Sequence, residues 1–222
     1  MKKIIQAFIV IQPWFIKRFL LQKLLGYKIH PTARVGFSWI FPDHLIMESN
    51  SMIGHFNIAI HLNKIHLQND AKIGRGNWIT GFSINKKSKH FIHQPNRTPE
   101  LIVGEHSAIT KNHHFDCTNQ IKIGKFTTIA GYQSQLLTHS INIEENRQDS
   151  SPIFIGDYCF VSTNVVIIGG ACLPSFSVLG AKSLLNKEFK DSHFLYGGVP
   201  AKSVKALNPN SKYFTRSEGF VY

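Results

Sequence analysis

Aliphatic side chains return at every sixth position through most of this chain. Ile155, Val161, Ile167, Leu173, Leu179 and Leu185 form one unbroken run, and Ile29, Val35, Phe41, Met47, Ile53, Ala59, Ile65 and Ala71 form another. A third, Val103, Ile109, Phe115 and Ile121, slips by two residues and resumes at Ile123 and Ile129. Glycine follows the aliphatic position at Val35-Gly36, Ile53-Gly54, Ile73-Gly74, Val103-Gly104, Ile123-Gly124, Ile155-Gly156 and Leu179-Gly180. A period of six is neither helical nor a simple strand alternation. It fits a solenoid, in which each hexapeptide supplies one short strand and a turn, and three of them close a triangular coil with the aliphatic residue inward. The expected fold is all-β.

Two stretches interrupt the count. Residues 85–99 are polar, basic and contain proline, and residues 138–152 read Thr-His-Ser-Ile-Asn-Ile-Glu-Glu-Asn-Arg-Gln-Asp-Ser-Ser-Pro. A regular solenoid gains nothing from such insertions, so they mark where a site is built. The expected organisation is an N-terminal segment over 1–28, a β-helix over 29–196 with inserted loops at about 85–99 and 138–152, and a post-coil segment and polar tail over 197–222.

The N-terminal segment has its own chemistry. Residues 1–42 hold no Asp or Glu, while Lys2, Lys3, Lys17, Arg18, Lys23, Lys28 and Arg34 are basic. Ile4, Ile5, Phe8, Ile9, Ile11, Trp14, Phe15, Phe19, Leu20, Leu24 and Leu25 lie between them, largely at helical spacing. This predicts an amphipathic helix bent or restarted at Pro13. The charges and Pro13 interrupt it too early for a membrane span, and no small-residue cleavage site follows it. It either packs on the domain or a sister subunit, or lies on an anionic membrane surface through residues 1–25.

The full chain carries 25 Lys and Arg against 13 Asp and Glu, a net charge of +12. That excess favours polyanionic partners without choosing among nucleic acid, anionic lipid and phosphorylated small molecules. Cys117, Cys159 and Cys172 are too few and too scattered for a disulfide framework. No RRM-like or OB-like signature accompanies the charge, so nucleic acid is not an expected partner.

The order of motifs resembles the hexapeptide-repeat acyltransferases, left-handed parallel β-helix enzymes that include the galactoside, maltose and xenobiotic acetyltransferases. Ile123-Gly124-Lys125, Thr138-His139-Ser140 and Pro152-Ile153-Phe154-Ile155-Gly156-Asp157 follow that family's sequence of coil, histidine-bearing loop and next coil. Leu179-Gly180-Ala181-Lys182-Ser183 and Gly197-Gly198-Val199-Pro200-Ala201-Lys202 resemble its final coil and post-coil segment. The resemblance implies a left-handed β-helix and a homotrimer with sites between subunits. It implies acetyl-CoA or another acyl-CoA as donor, with no metal, and a sugar or glycan hydroxyl as acceptor, as in surface polysaccharide or lipopolysaccharide biosynthesis. His139 then stands where the family keeps its general base, and imidazole suits removal of a hydroxyl proton near neutral pH. Thr163 stands where a backbone N–H holds the oxyanion. Asn112, His113, His114 and Asp116 fall in the acceptor region, with Asp116 able to orient His139. Phe160, Ser162, Ala181, Lys182, Lys187, Lys202 and Lys205 fall where coenzyme A is held. The implied location is cytoplasmic, or peripheral at the inner face of the cytoplasmic membrane.

Other functions fit the same repeat. One is N-acetylation of a nucleotide-amino sugar, and another is a non-catalytic β-solenoid that binds glycans. A third is a zinc hydrolyase resembling the γ-class carbonic anhydrases, although His90, His93, His106, His113, His114 and His139 do not reproduce that family's spacing.

Overall fold

The structure, a computed structural model, describes residues 2–86, 88–219 and 221, with the Lys2 side chain outside the described residues. Strands of two to five residues stack into three sheets of seven, nine and seven strands, here faces A, B and C. A coil visits face A, then B, then C; the first runs through Lys28–Ile29, Arg34–Val35 and Trp39–Phe41. Neighbouring coils pair in parallel throughout, and the whole is a left-handed parallel β-helix.

The hexad residues point inward. Ile155, Val161, Ile167, Leu173, Leu179 and Leu185 are all buried and form one continuous core with the earlier runs. Phe41 differs: Ile40 takes the inward place in its strand and Phe41 is only partly covered. The slip at Ile121 and Ile123 is a rule rather than an accident. Face A strands point two residues inward: Leu45 with Met47, Ile65 with Leu67, Leu101 with Val103, Ile153 with Ile155. Coil length varies: Ile46 pairs with His66 and Ile102 with Lys122, twenty residues on, whereas Lys28 pairs with Ile46 and Phe154 with Cys172, eighteen on. The glycines serve close approach. A Cβ on Gly104 would sit 2.4 Å from the Gly124 carbonyl carbon of the next coil.

Two corners carry ladders. His106, Phe126, Tyr158, Phe176 and His193 occupy the left-handed backbone region at one corner. Their rings stack with centroids 4.7–5.2 Å apart, which offsets the backbone cost. At the corner between faces B and C the ladder is polar. The backbone N–H of Asn77 donates to Asn57 Oδ1 (2.9 Å) and that of His113 to Asn77 Oδ1 (3.0 Å). The N–H of Ser134 then donates to His113 Nδ1 (3.1 Å), and that of Val165 to Ser134 Oγ (3.3 Å).

The termini close the solenoid. Helices α1 (Lys2–Ile11) and α2 (Trp14–Leu25) break at Pro13, as expected. Ile9 and Leu21 join the core, and Lys17, Arg18 and Gln22 donate to the carbonyls of Gly36 (3.0 Å), Ile29 (3.3 Å) and Ile29 (3.2 Å). The helices thus satisfy the open edge of the first coil. At the other end Phe194–Gly197 extends face B and Lys202–Ala206 folds back antiparallel on it. The polar tail is not free: helix α3 (Lys212–Thr215) buries Phe214 against Phe176 and His193. No helix among the described residues is long and apolar enough to cross a membrane.

Candidate active site

The two insertions meet each other. Residues 138–152 form a hairpin, His139–Asn142 paired antiparallel with Arg147–Ser150, projecting where face C turns into face A. The other insertion leaves Trp78–Thr80 and returns at Glu100–Val103. Gln94 binds Ser150 through three hydrogen bonds, donating to its carbonyl (3.0 Å) and accepting from its N–H (3.0 Å) and hydroxyl (2.8 Å). His93 bonds Asp149 beside it. Inside the loop Arg97 is buried, donating to the carbonyls of Phe82 and, at 2.7 Å, Thr118. Its guanidinium lies over the Phe91 ring, 4.5 Å from the centroid.

His139 opens the hairpin beside Asp116, which ends the strand His114–Asp116 one coil earlier. Asp116 Oδ2 accepts from His139 Nδ1 and from the His139 backbone N–H (3.3 Å). Its other oxygen accepts from Thr118 N–H (3.1 Å) and Oγ1–H (2.7 Å). Burial pushes the Asp116 carboxyl upward, but the bonds from His139 and Thr118 outweigh it and hold the group below its ordinary value. The bond to Asp116 raises the His139 imidazole above its ordinary value, against burial and the nearby Arg97 charge. With Nδ1–H given to the carboxylate, Nε2 carries the lone pair. The Asp116 side chain is 8% exposed and that of His139 41%, so the pair is a buried anion holding an accessible base. A cleft of about 320 Å³ lies against it, lined also by Thr80, Phe82, Phe91, His114, Leu137 and Gln148.

Of the residues singled out by sequence, the structure brings His114, Asp116 and His139 together. Asn112 lies instead on the corner before them, exposed and in the left-handed region, its side chain against Gly76. His113 does not face an acceptor either. It is 2% exposed, Nδ1 accepts from Ser134 and Nε2–H donates to Thr110 Oγ1 (3.0 Å), so both ring nitrogens are occupied. Strand alternation separates the histidine pair: His114 points outward and His113 into the corner.

The remaining candidates lie on a different part of the solenoid. Thr163 sits at the corner between faces B and C, the opposite end of face C from His139, where its hydroxyl is paired with Tyr132 N–H and C=O at 3.2 Å each. Ser162 and Phe160 precede it, with the Phe160 ring edge-on to Tyr213 at 5.9 Å. Ala181 and Lys182 are exposed at the same corner one coil on, where the Lys182 N–H donates to the Thr163 carbonyl (3.2 Å). Lys187 lies over Phe189, and Lys202 and Lys205 are exposed on the last strand. Within one chain these residues and His139 do not share a cleft. Phe91 and Arg97 were not singled out by sequence, although the loop that carries them was. Among the described residues no three His, Cys, Asp or Glu side chains converge as metal ligands.

No family model matches the chain. It is 31% identical over 85 residues to YvoF of Bacillus subtilis, a protein that carries the name of an acetyltransferase; the match takes 38% of this chain, which spans about half the length of that relative (47%). Among solved structures, the polysialic acid O-acetyltransferase OatWY superposes with a TM-score of 0.57 at 19% identity, over 81% of this chain and 84% of its own. The hexapeptide-repeat acetyltransferase VCA0836 of Vibrio cholerae, solved with acetyl coenzyme A, gives 0.49 at 20% identity over 91% and 83%. The fold is thus the left-handed parallel β-helix shared with OatWY.

Proposed function

We propose that this chain, built on the hexapeptide-repeat acetyltransferase fold, moves an acetyl group from acetyl-CoA to a hydroxyl of a sugar in a surface glycan, with His139 as general base. One observation carries the reading: a buried Asp116 fixes the His139 tautomer and leaves Nε2 exposed in a cleft. Nε2 takes the acceptor hydroxyl proton as the oxygen bonds to the thioester carbonyl carbon. The carbonyl oxygen becomes an oxyanion, for which a backbone N–H is the fitting donor. When the C–S bond breaks, the imidazolium returns the proton to the departing thiolate, and Asp116 stabilises the imidazolium between the two steps.

A hydroxyl needs such a base more than an amine does, so the dyad favours O-acetylation over transfer to an amino sugar. His139 and Thr163 stand at opposite ends of face C, so an oxyanion donor at Thr163 requires a second copy of the chain. The reading is completed by a homotrimer with shared sites, in which Phe160, Ser162, Ala181, Lys182, Lys187, Lys202 and Lys205 of one copy would hold the donor against His139 of another. The lysines suit its phosphates. A cytoplasmic enzyme resting on the inner face of the membrane fits the N-terminal helices. Their outer side exposes Ile4, Phe8, Ile11, Phe15 and Phe19, with Lys3 and Lys23 also exposed.

The test is release of free thiol from acetyl-CoA over a panel of sugars and glycans. His139→Ala is expected to lower turnover about two to four orders of magnitude with donor affinity retained. A variant that keeps more than about a tenth of turnover would remove His139 as the base.

A further inference from the structure

A groove of about 800 Å³ on face C, reaching helix α1, shares Gly81 and Phe82 of its wall with the cleft at His139. The groove follows the pairing of the strands. Trp39 pairs with Ile58, Ile58 with Trp78 and Trp78 with His114, so these side chains form one outward row. At roughly 4.8 Å per strand the row covers about 14 Å, ending at the catalytic cleft. Trp78 is 47% exposed, and Trp39 stands against Phe41 with centroids 5.2 Å apart.

Polar groups border the rings. Asp43 Oδ2 accepts from Ser83 Oγ (2.7 Å), Asn63 Nδ2 (3.0 Å) and Asn85 Nδ2 (3.0 Å), which pins the start of the inserted loop to the groove wall. Lys3, His61 and Lys86 line the groove with it. Flat aromatic faces interleaved with hydrogen-bonding groups suit a ligand that is apolar on its ring faces and hydroxylated at its edges. The centre of a subunit interface, by contrast, is depleted of charged residues.

We propose that this groove is an extended acceptor site that holds a glycan chain of roughly three or more rings, with Trp78 and Trp39 as stacking platforms and the terminal ring at His139. The assignment rests on the acetyltransferase reading but is tested by binding alone. The chain has three tryptophans, two of them in the groove, so intrinsic fluorescence reports its occupancy. The probes are maltose-series and galacturonate-series oligosaccharides of one to six rings, titrated into His139→Ala protein, which would not consume acceptor. Affinity is expected to rise at least tenfold between one and four rings in at least one series, and to lose that dependence in Trp78→Ala and in Trp39→Ala. Affinity independent of length in both series would overturn the proposal. So would a fall in light-scattering mass in Trp78→Ala, which would make the row a contact between copies. Length-dependent binding without thiol release from acetyl-CoA would instead count against the transferase reading and leave the groove standing.

Discussion

Asp116→Asn changes the shape of the site least and its chemistry most. The carboxylate accepts four hydrogen bonds, two from Thr118 and two from His139. Asparagine keeps one acceptor oxygen and turns the other position into a donor, so it cannot serve both neighbours. If its carbonyl stays with Thr118, its NH₂ meets His139 Nδ1 and drives the ring proton to Nε2, removing the lone pair that faces the cleft. If its carbonyl turns to His139 the tautomer survives, but the imidazolium loses its charged partner. A hydrogen bond to a charged group is worth about 1.5–3 kcal/mol, which corresponds to a loss of about 10- to 150-fold in kcat.

The pH profile separates positioning from support. The bond to Asp116 raises the His139 pKa, so wild-type activity falls as pH drops through a value above the ordinary histidine range. Without the carboxylate, burial and Arg97 remain, and both lower it, so the acid limb moves to lower pH. The assay is thiol release at saturating donor across the neutral range, with near-ultraviolet circular dichroism as the control for folding. A variant with unchanged kcat, or with reduced kcat and an unmoved acid limb, would refute the reasoning and leave Asp116 as a prop for the hairpin.

Two further outcomes follow from other parts of the molecule. Burial lowers the His113 pKa from 6.5 to about 4; the unfolded chain therefore binds the extra proton first, and stability present above pH 6.5 is lost as pH falls toward 4, by up to about 3 kcal/mol. His113→Asn keeps an acceptor for Ser134, as Asn77 does for His113, and should flatten urea midpoints across that window; an unchanged slope would show that other groups set it. On the N-terminal helices, Phe15→Glu with Phe19→Glu should abolish flotation with anionic vesicles and leave thermal stability within about 1 kcal/mol, since both side chains are exposed. Equal flotation of wild type and variant would reject membrane contact through this face, and a fall in assembly mass would assign the face to a neighbouring copy.

Much of the architecture was legible because a solenoid writes its period into the chain. Ile155 to Leu185 gave the inward row directly, and the interruptions at 85–99 and 138–152 marked the two segments that meet beside His139 and Asp116. The coil length was less legible. A two-residue slip shows once in the sequence, at Ile121 and Ile123, yet paired inward residues recur along face A, as Leu45 with Met47 and Ile65 with Leu67. Coils of eighteen and twenty residues both occur, without a local signature. His113 was misleading for a related reason. A histidine next to a candidate acceptor residue looks like a site, but alternation sends neighbours to opposite sides, and at this corner the inward place needs a backbone acceptor, a role that Ser38, Asn57 and Asn77 fill in earlier coils. Arg97 and Phe91 were illegible because a contact across 48 positions, Phe91 to His139, has no local signature.

The N-terminal segment carries the same lesson into function. By sequence its lysines and arginines were one pool of charge, suited either to packing or to an anionic surface. The structure divides them. Lys17 and Arg18 turn inward to the carbonyls of the first coil, and burial lowers the Lys17 pKa, so this pair is committed to the fold. Lys3, Lys23 and Lys28 stay exposed, and the large apolar residues that the core does not take form the outer side of both helices. Deleting residues 1–25 would therefore strip the cap from the solenoid along with any surface contact, and a loss of activity would be uninterpretable. Charge placed on Phe15 and Phe19 leaves the cap in place. Each exposed lysine contributes on the order of 1 kcal/mol near an anionic surface and is screened by salt, whereas apolar insertion is not. A contact carried by the phenylalanines should accordingly persist in high salt, whereas one carried by the lysines should be lost there.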